Sequence, residues 1–210
     1  MADIFQYGEK EITHLKSVDK TLGAAIERIG FIERPVVPDL FTSLIRSIIA
    51  QQISAKAAET ISRRMLERLK DITPQTISAV SIEEIQQLGM SMRKAGYIKD
   101  VAASVLSGKF DIDALNTMPD NEVCCRLSAL KGIGVWTAEM LMIFTMQRPD
   151  ILSWDDLAIQ RGLRMLYRHR KITKELFTKY KRRYSPYATV ASLYLWAIAG
   201  GECGLKDISK

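Results

Sequence analysis

LKGIGVWTAEM, residues 130–140, is the stretch on which the fold turns. Gly132 and Gly134 stand one residue apart, with apolar helical sequence on both sides. Asn121 to Leu130 reads as one helix and Trp136 to Met146 as the next. Glycine admits positive φ and carries no Cβ, so such a turn can bring its amides close to a partner. Gly134, Val135 and Trp136 would open the second helix, where unpaired N–H groups and the positive end of the dipole favour an anion. One reading is a plain αα-hairpin closed by glycines, without a ligand. The other is a seat for a phosphate, and two details favour it. Ile133 can anchor the turn in a core and leave the backbone facing outward, and Thr137-Ala138 gives the second helix a small face for close packing on the first. A nucleic-acid phosphate fits that description, and such contacts fix register without reading sequence.

Outward from the hairpin the chain reads as helix nearly throughout. Phe41 to Leu69 carries apolar residues at helical spacing and is broken at Gln51-Gln52-Ile53-Ser54, with Ser54 able to cap the second half. Thr73-Pro74 and Ser81 to Glu84 are start signals, and Thr117 to Asp120 is a looser one. Further helices are expected over 93–106, 156–167, 174–183 and 189–198, and the first 35 residues also look helical. No useful strand alternation appears, so the class is all-α, with about ten helices. Pro35-Val36-Val37-Pro38 is the best candidate for a crossing between lobes, and Pro119 the second.

Composition narrows the function. No run of about 18 apolar residues is present, so no membrane span is expected. The N-terminus, MADIFQYGEKEITHLK, lacks the apolar stretch of a secretory signal. Cys124, Cys125 and Cys203 make neither a disulfide framework nor a zinc or iron–sulfur pattern, which points to a reducing compartment. His14 and His169 are the only histidines, which argues against histidine-rich metal sites and most catalytic triads. The net charge of +6 is compatible with a nucleic-acid partner. The basic residues concentrate in YRHRKITKELFTKYKRRY, residues 167–184, where Glu175 is the single acid. That run is either a solvated helix face or a phosphate-facing surface.

Ser153-Trp154-Asp155-Asp156-Leu157-Ala158-Ile159 follows, its acids 21 and 22 positions past Gly134. Ser153 or either Asp could simply cap the next helix. Alternatively one Asp caps while its neighbour points into a cleft. GIGVWTA followed by this acidic helix start resembles the helix–hairpin–helix superfamily of DNA glycosylases. IIAQQISAKAA, residues 48–58, and LGMSMRKAGYIKDVA, residues 88–102, are similar to its 3-methyladenine DNA glycosylase II branch. The likeness covers roughly residues 35–200.

The resemblance implies a compact two-lobed helical fold without an N-terminal β domain. Residues 36–118 would form a middle lobe. Residues 1–35 plus 119–210 would form a second lobe carrying the hairpin, 128–140, and the catalytic acid, with that acid in the cleft between them. Asp156 matches the essential carboxylate of the D-x-x-apolar pattern, with Ile159 the apolar position and Asp155 an orienting or capping neighbour. The hairpin residues Gly132, Gly134, Val135, Trp136 and Thr137 would hold the DNA backbone. Trp136, Tyr187, Trp154 and Met140 would line a base pocket, although Trp136 also reads as a core residue and Met140 stands where some relatives have an aromatic. Gln52, by position, or Ile53, by chemistry, would fill the gap left by a flipped base, unless this is only a polar loop.

Lyase-type members carry a lysine where this chain has Trp136, so the resemblance implies a monofunctional enzyme that uses water and leaves an abasic site. The expected reaction is base excision of alkylated purines of the 3-methyladenine and 7-methylguanine type from damaged double-stranded DNA, by a monomer in the nucleoid-bearing cytoplasm or the nucleus. No cofactor is required. A monovalent cation on the carbonyls of Ser128, Leu130 and Ile133 fits the family, though no side chain demands it, and no iron–sulfur cluster is expected. A glycosylase for another damaged purine, such as an oxidised guanine, and a non-catalytic DNA-binding module are the alternatives.

Overall fold

A computed structural model describes residues 3–207. Among them are twelve α-helices, one 3₁₀ turn (Asp113–Thr117) and a single isolated β-bridge, between Ile4 and Pro35. The chain divides into two compact units, Val37–Leu141 and Met1–Val36 with Met142–Lys210.

The middle unit contains α3 (Leu40–Ala50), α4 (Ala55–Leu69), α5 (Pro74–Ala79), α6 (Ile82–Gln87), α7 (Met92–Leu106), α8 (Asp120–Ser128) and the start of α9 (Val135–Phe144). Leu44, Ile45, Ile48 and Ile49 of α3 are fully buried, as the helical spacing requires. Each contributes about 1.5–3 kcal/mol relative to exposure. α3 and α4 are separate because the chain turns at 51–54, where Gln52 takes positive φ. The predicted starts form. Ser54 Oγ accepts from the Ala57 amide at 3.2 Å. Thr73 Oγ1 accepts from Thr76, with Pro74 in the first turn. Ser81 and Glu84 exchange bonds at 3.1 and 2.9 Å as a capping box. Thr117 is the exception. It ends the 3₁₀ turn with its hydroxyl on the Ala114 carbonyl, and Pro119, which has no donor or acceptor side chain, stands at the cap of α8.

The other unit contains α1 (Glu9–Val18), α2 (Lys20–Ile29), α10 (Leu157–Tyr167), α11 (Lys174–Tyr184) and α12 (Ala188–Gly200). α12 is apolar around its whole circumference and is buried along nearly all its length, the behaviour of a central helix. α10 lies close against it because Gly162 has no side chain; a Cβ there would collide with the Leu195 carbonyl. A polar group is buried beside this core. Asp19, 4% exposed, caps α2 by accepting from the Leu22 amide at 2.9 Å. Its other oxygen accepts from Arg183 at 2.5 Å and Tyr167 at 2.8 Å. Burial alone would raise the Asp19 pKa, but the Leu22 amide, Arg183 and Tyr167 together hold it below its ordinary value.

The division of the chain differs from the sequence-based boundaries at one end. It falls between Val36 and Val37, inside the Pro35–Pro38 stretch, and then between Leu141 and Met142, inside α9 and well past Pro119. The hairpin therefore groups with the middle segment, not with the chain ends.

Candidate active site and nucleic-acid interface

The hairpin joins α8 to α9. Its turn is closed by the Leu130 amide on the Leu127 carbonyl at 3.1 Å and the Ile133 amide on the Leu130 carbonyl at 3.0 Å. Ile133 is 4% exposed and anchors the turn from beneath, as its place between the glycines implies. The two glycines do different work. Gly132 has φ +86°, and a Cβ on it would stand 2.5 Å from Tyr97 Cδ2 of α7. Gly134 has ordinary φ and only open space around a Cβ. Gly132 thus permits the turn and its packing, while Gly134 leaves backbone open to a partner at the start of α9. Val135 and Trp136 are about half exposed beside it, which removes the core reading of Trp136. Thr137 and Met140 are half-buried on the same helix.

The loop at 51–54 belongs to the same unit and is tied to the hairpin. Gln51 Nε2 donates to the Gly132 carbonyl. Lys94 Nζ donates to the Ile49 carbonyl at 2.8 Å and the Gln51 carbonyl at 2.6 Å, closing the end of α3. Burial, with Arg93 nearby, lowers the Lys94 pKa. Lys94 and Tyr97 lie three apart on α7, so one helix braces both the loop and the turn. Gln52 and Ile53 project from this braced loop, both exposed. Gln51, Lys94 and Tyr97 have no part in the sequence-based site. Their partners are distant in the chain, and only the family-like run 88–102 drew attention to that helix.

Lys131, which precedes the first glycine, pairs with Asp100 at 2.9 Å. The hydrogen bond and charge of Asp100 raise the lysine pKa, so the amine stays protonated.

In the other unit, Asp156 caps α10. Its Oδ1 accepts from the amides of Ala158 and Ile159, both at 2.9 Å, and the residue is 6% exposed. Asp155 is exposed, and the cap of α10 is Asp156 rather than Asp155. The reason is register: one carboxylate must sit at the first non-helical position, and that position is 156. The same residue therefore both caps the helix and presents the buried acid. Trp154 packs edge-on against Phe177 at 5.2 Å and lends its carbonyl to Gln160. Tyr187 stands edge-on to His14 at 5.2 Å. Leu157, directly after the acid, is an apolar side chain left 79% exposed. Asp156, Trp154 and Tyr187 thus share one unit; the hairpin, Trp136, Met140 and the 51–54 loop share the other.

Known proteins resemble this chain in both sequence and fold. The family model described as HhH-GPD superfamily base excision DNA repair protein matches residues 45–186. The chain belongs to the HhH-GPD superfamily. Among HhH-GPD proteins, it is 36% identical to DNA-3-methyladenine glycosylase 1 of Schizosaccharomyces pombe over 87% of this chain and 84% of that one. A solved DNA-3-methyladenine glycosidase from Bacillus halodurans superposes with a TM-score of 0.87 at 36% identity, covering 96% of this chain and 94% of its own. The S. pombe 3-methyladenine DNA glycosylase in complex with abasic DNA gives a TM-score of 0.75 at 30% identity, covering 91% and 97%. The all-α HhH-GPD fold is the one the helical pattern called for.

Proposed function

We propose that this protein is a monofunctional DNA glycosylase of base excision repair, hydrolysing the N-glycosidic bond of alkylated purines of the 3-methyladenine and 7-methylguanine type. The observation that carries the reading is Asp156: a carboxylate buried to 6% exposure and fixed by two backbone amides at a helix start. The relatives named as 3-methyladenine glycosylases support the substrate class.

The chemistry needs little more. Breaking the bond between the sugar C1′ and the base nitrogen builds positive charge on the sugar, and a fixed carboxylate stabilises that charge. Water adds to C1′ and loses a proton, and the base departs with the bonding electron pair. An N3- or N7-alkylated purine is already cationic, so it leaves without a strong general acid. Preorganisation matters because the Asp156 side chain need not reorganise as the charge forms. Trp136, where lyase-type relatives keep a lysine, and the protonated, Asp100-paired Lys131 support water over an amine as nucleophile.

The substrate is damaged duplex DNA. The amides at Gly134 to Thr137 grip the backbone, and Gln52 or Ile53 fills the gap of the flipped base. Trp136, Tyr187, Trp154 and Met140 are the proposed base-contacting residues. A monovalent cation fits the Ser128, Leu130 and Ile133 carbonyls, which are hard oxygen donors; Leu130 already accepts one amide and has a second lone pair to offer. The enzyme works as a monomer, in the nucleoid or the nucleus. No helix among the described residues is long and apolar enough to cross a membrane.

Base release from methylated and from 8-oxoguanine duplexes, side by side with Asp156→Asn, tests the proposal. Release from the methylated duplex alone, absent in the variant, is expected. Release from the oxidised duplex alone overturns the substrate class, and a variant with normal turnover overturns the role of Asp156.

A further inference from the structure

The hairpin does not account for the basic run 167–184. α11 is amphipathic in the strict sense: Phe177, Tyr180 and Tyr184 are buried, and the opposite face is exposed. Solvated helix faces mix signs and pair them at four-residue spacing. Here Glu175 is the only acid in eighteen residues, and it makes no ion pair with Lys179. Arg168, Arg170, Lys171, Lys179, Lys181 and Arg182 have no ion pair among the described residues. A groove of about 700 Å³ runs along this face, with Lys174, Thr178, Lys179 and Arg182 on its walls. So much like charge in one stretch repels itself, and none of these six cations has an ion-pair partner among the described residues.

Two features show that the face is held rather than loose. Arg183 reaches inward to the buried Asp19, and Tyr184 meets Tyr167 hydroxyl to hydroxyl at 2.6 Å, pinning α11 to α2 and α10. Lys174 stands 5.7 Å from the Trp154 ring, and Phe177 supports the same indole, so α11 braces the segment that leads into Asp156.

We infer that the exposed face of α11, with the basic segment 168–171 that leads into it, is a second DNA-backbone surface, additional to the hairpin, which binds phosphodiesters of the duplex by charge. The inference rests on DNA being the substrate. The occupant follows from complementarity: a regular row of phosphates neutralises a row of cations without needing specific apolar contacts. The role is to raise affinity and hold the Asp156-bearing unit on the duplex, with no part in bond cleavage.

The test uses Lys171→Gln/Lys179→Gln/Arg182→Gln, which spares Lys174 and Arg183, and a second variant, Glu175→Gln. Affinity for an undamaged duplex is read by anisotropy across a salt series, beside single-turnover base release from methylated DNA. The triple variant should bind more weakly, with a log K against log salt slope shallower by up to about 2.7, or about 0.9 for each lost contact. Its rate at saturating DNA should not change, and its melting temperature should hold or rise. Glu175→Gln should bind more tightly. A triple variant with wild-type affinity and slope overturns the inference, leaving the face to solvent or to an acidic protein. Wild-type protein that binds DNA but releases no base overturns the glycosylase proposal while leaving this surface standing.

Discussion

Gly132 and Gly134 differ by two positions in sequence and should differ in kind when each is replaced by alanine. At Gly132, φ is +86°, and the added Cβ would stand 2.5 Å from Tyr97 Cδ2 and 3.1 Å from Cε2. An L-residue in the left-handed region costs roughly 1–2 kcal/mol. Forcing a packed side chain aside costs about 1–3 kcal/mol more. Gly132→Ala should therefore lose roughly 2–5 kcal/mol of stability. Movement of the Tyr97 ring sets where in that interval it falls. Gly134→Ala meets nothing within 4 Å and needs no positive φ, so its stability should stay within about 0.5 kcal/mol of wild type. It should still bind DNA more weakly, because a methyl now stands where a phosphate must approach bare backbone. Chemical denaturation gives the stabilities, and anisotropy with an undamaged duplex gives the affinities. Adding Tyr97→Ala to Gly132→Ala separates the two terms, since it relieves the collision and leaves the backbone strain. Equal stability of the two single variants would refute the division of labour. So would undiminished DNA binding by Gly134→Ala.

Asp156→Asn should lose base release yet keep its melting temperature within a few degrees, because asparagine caps helices about as well as aspartate and retains an oxygen for the Ala158 and Ile159 amides. Lys94→Met leaves the Ile49 and Gln51 carbonyls without their donor and should cost about 1–3 kcal/mol. Hydrogen exchange should quicken first around the 51–54 loop. Borohydride added during turnover should trap no covalent protein–DNA adduct; an adduct would show that an amine attacks the sugar. Asp19 has a folded-state pKa below its ordinary 3.8, so its contribution is complete above that value and is lost as pH falls through the lower, folded pKa. Asp19→Asn should flatten this acid-side loss in thermal melts, and an unchanged pH profile would rule out the Asp19–Arg183 pair as its source.

What could be read from the sequence, and what could not, follows the range of the interactions. Caps at Ser54, Thr73 and Ser81 are decided within four residues, and so was the burial of Ile133 beneath its turn. The Gln51–Gly132 tie joins positions 81 apart, and the Lys94 ties span 43 and 45. No periodicity announces those. The hairpin was assigned to the chain ends for the same reason, since its attachment to the middle unit runs through Tyr97 and Gln51. Asp156 is the instructive case. Two adjacent acids suggested two jobs for two residues, one to cap and one to react. The structure gives the cap to Asp156 and leaves Asp155 in solvent. The carboxylate accepts through Oδ1 from two amides of the first helical turn, so the helix start orients the acid. Unlike the ties at Gln51 and Lys94, this cap is decided within three residues of sequence, from Asp156 to Ile159.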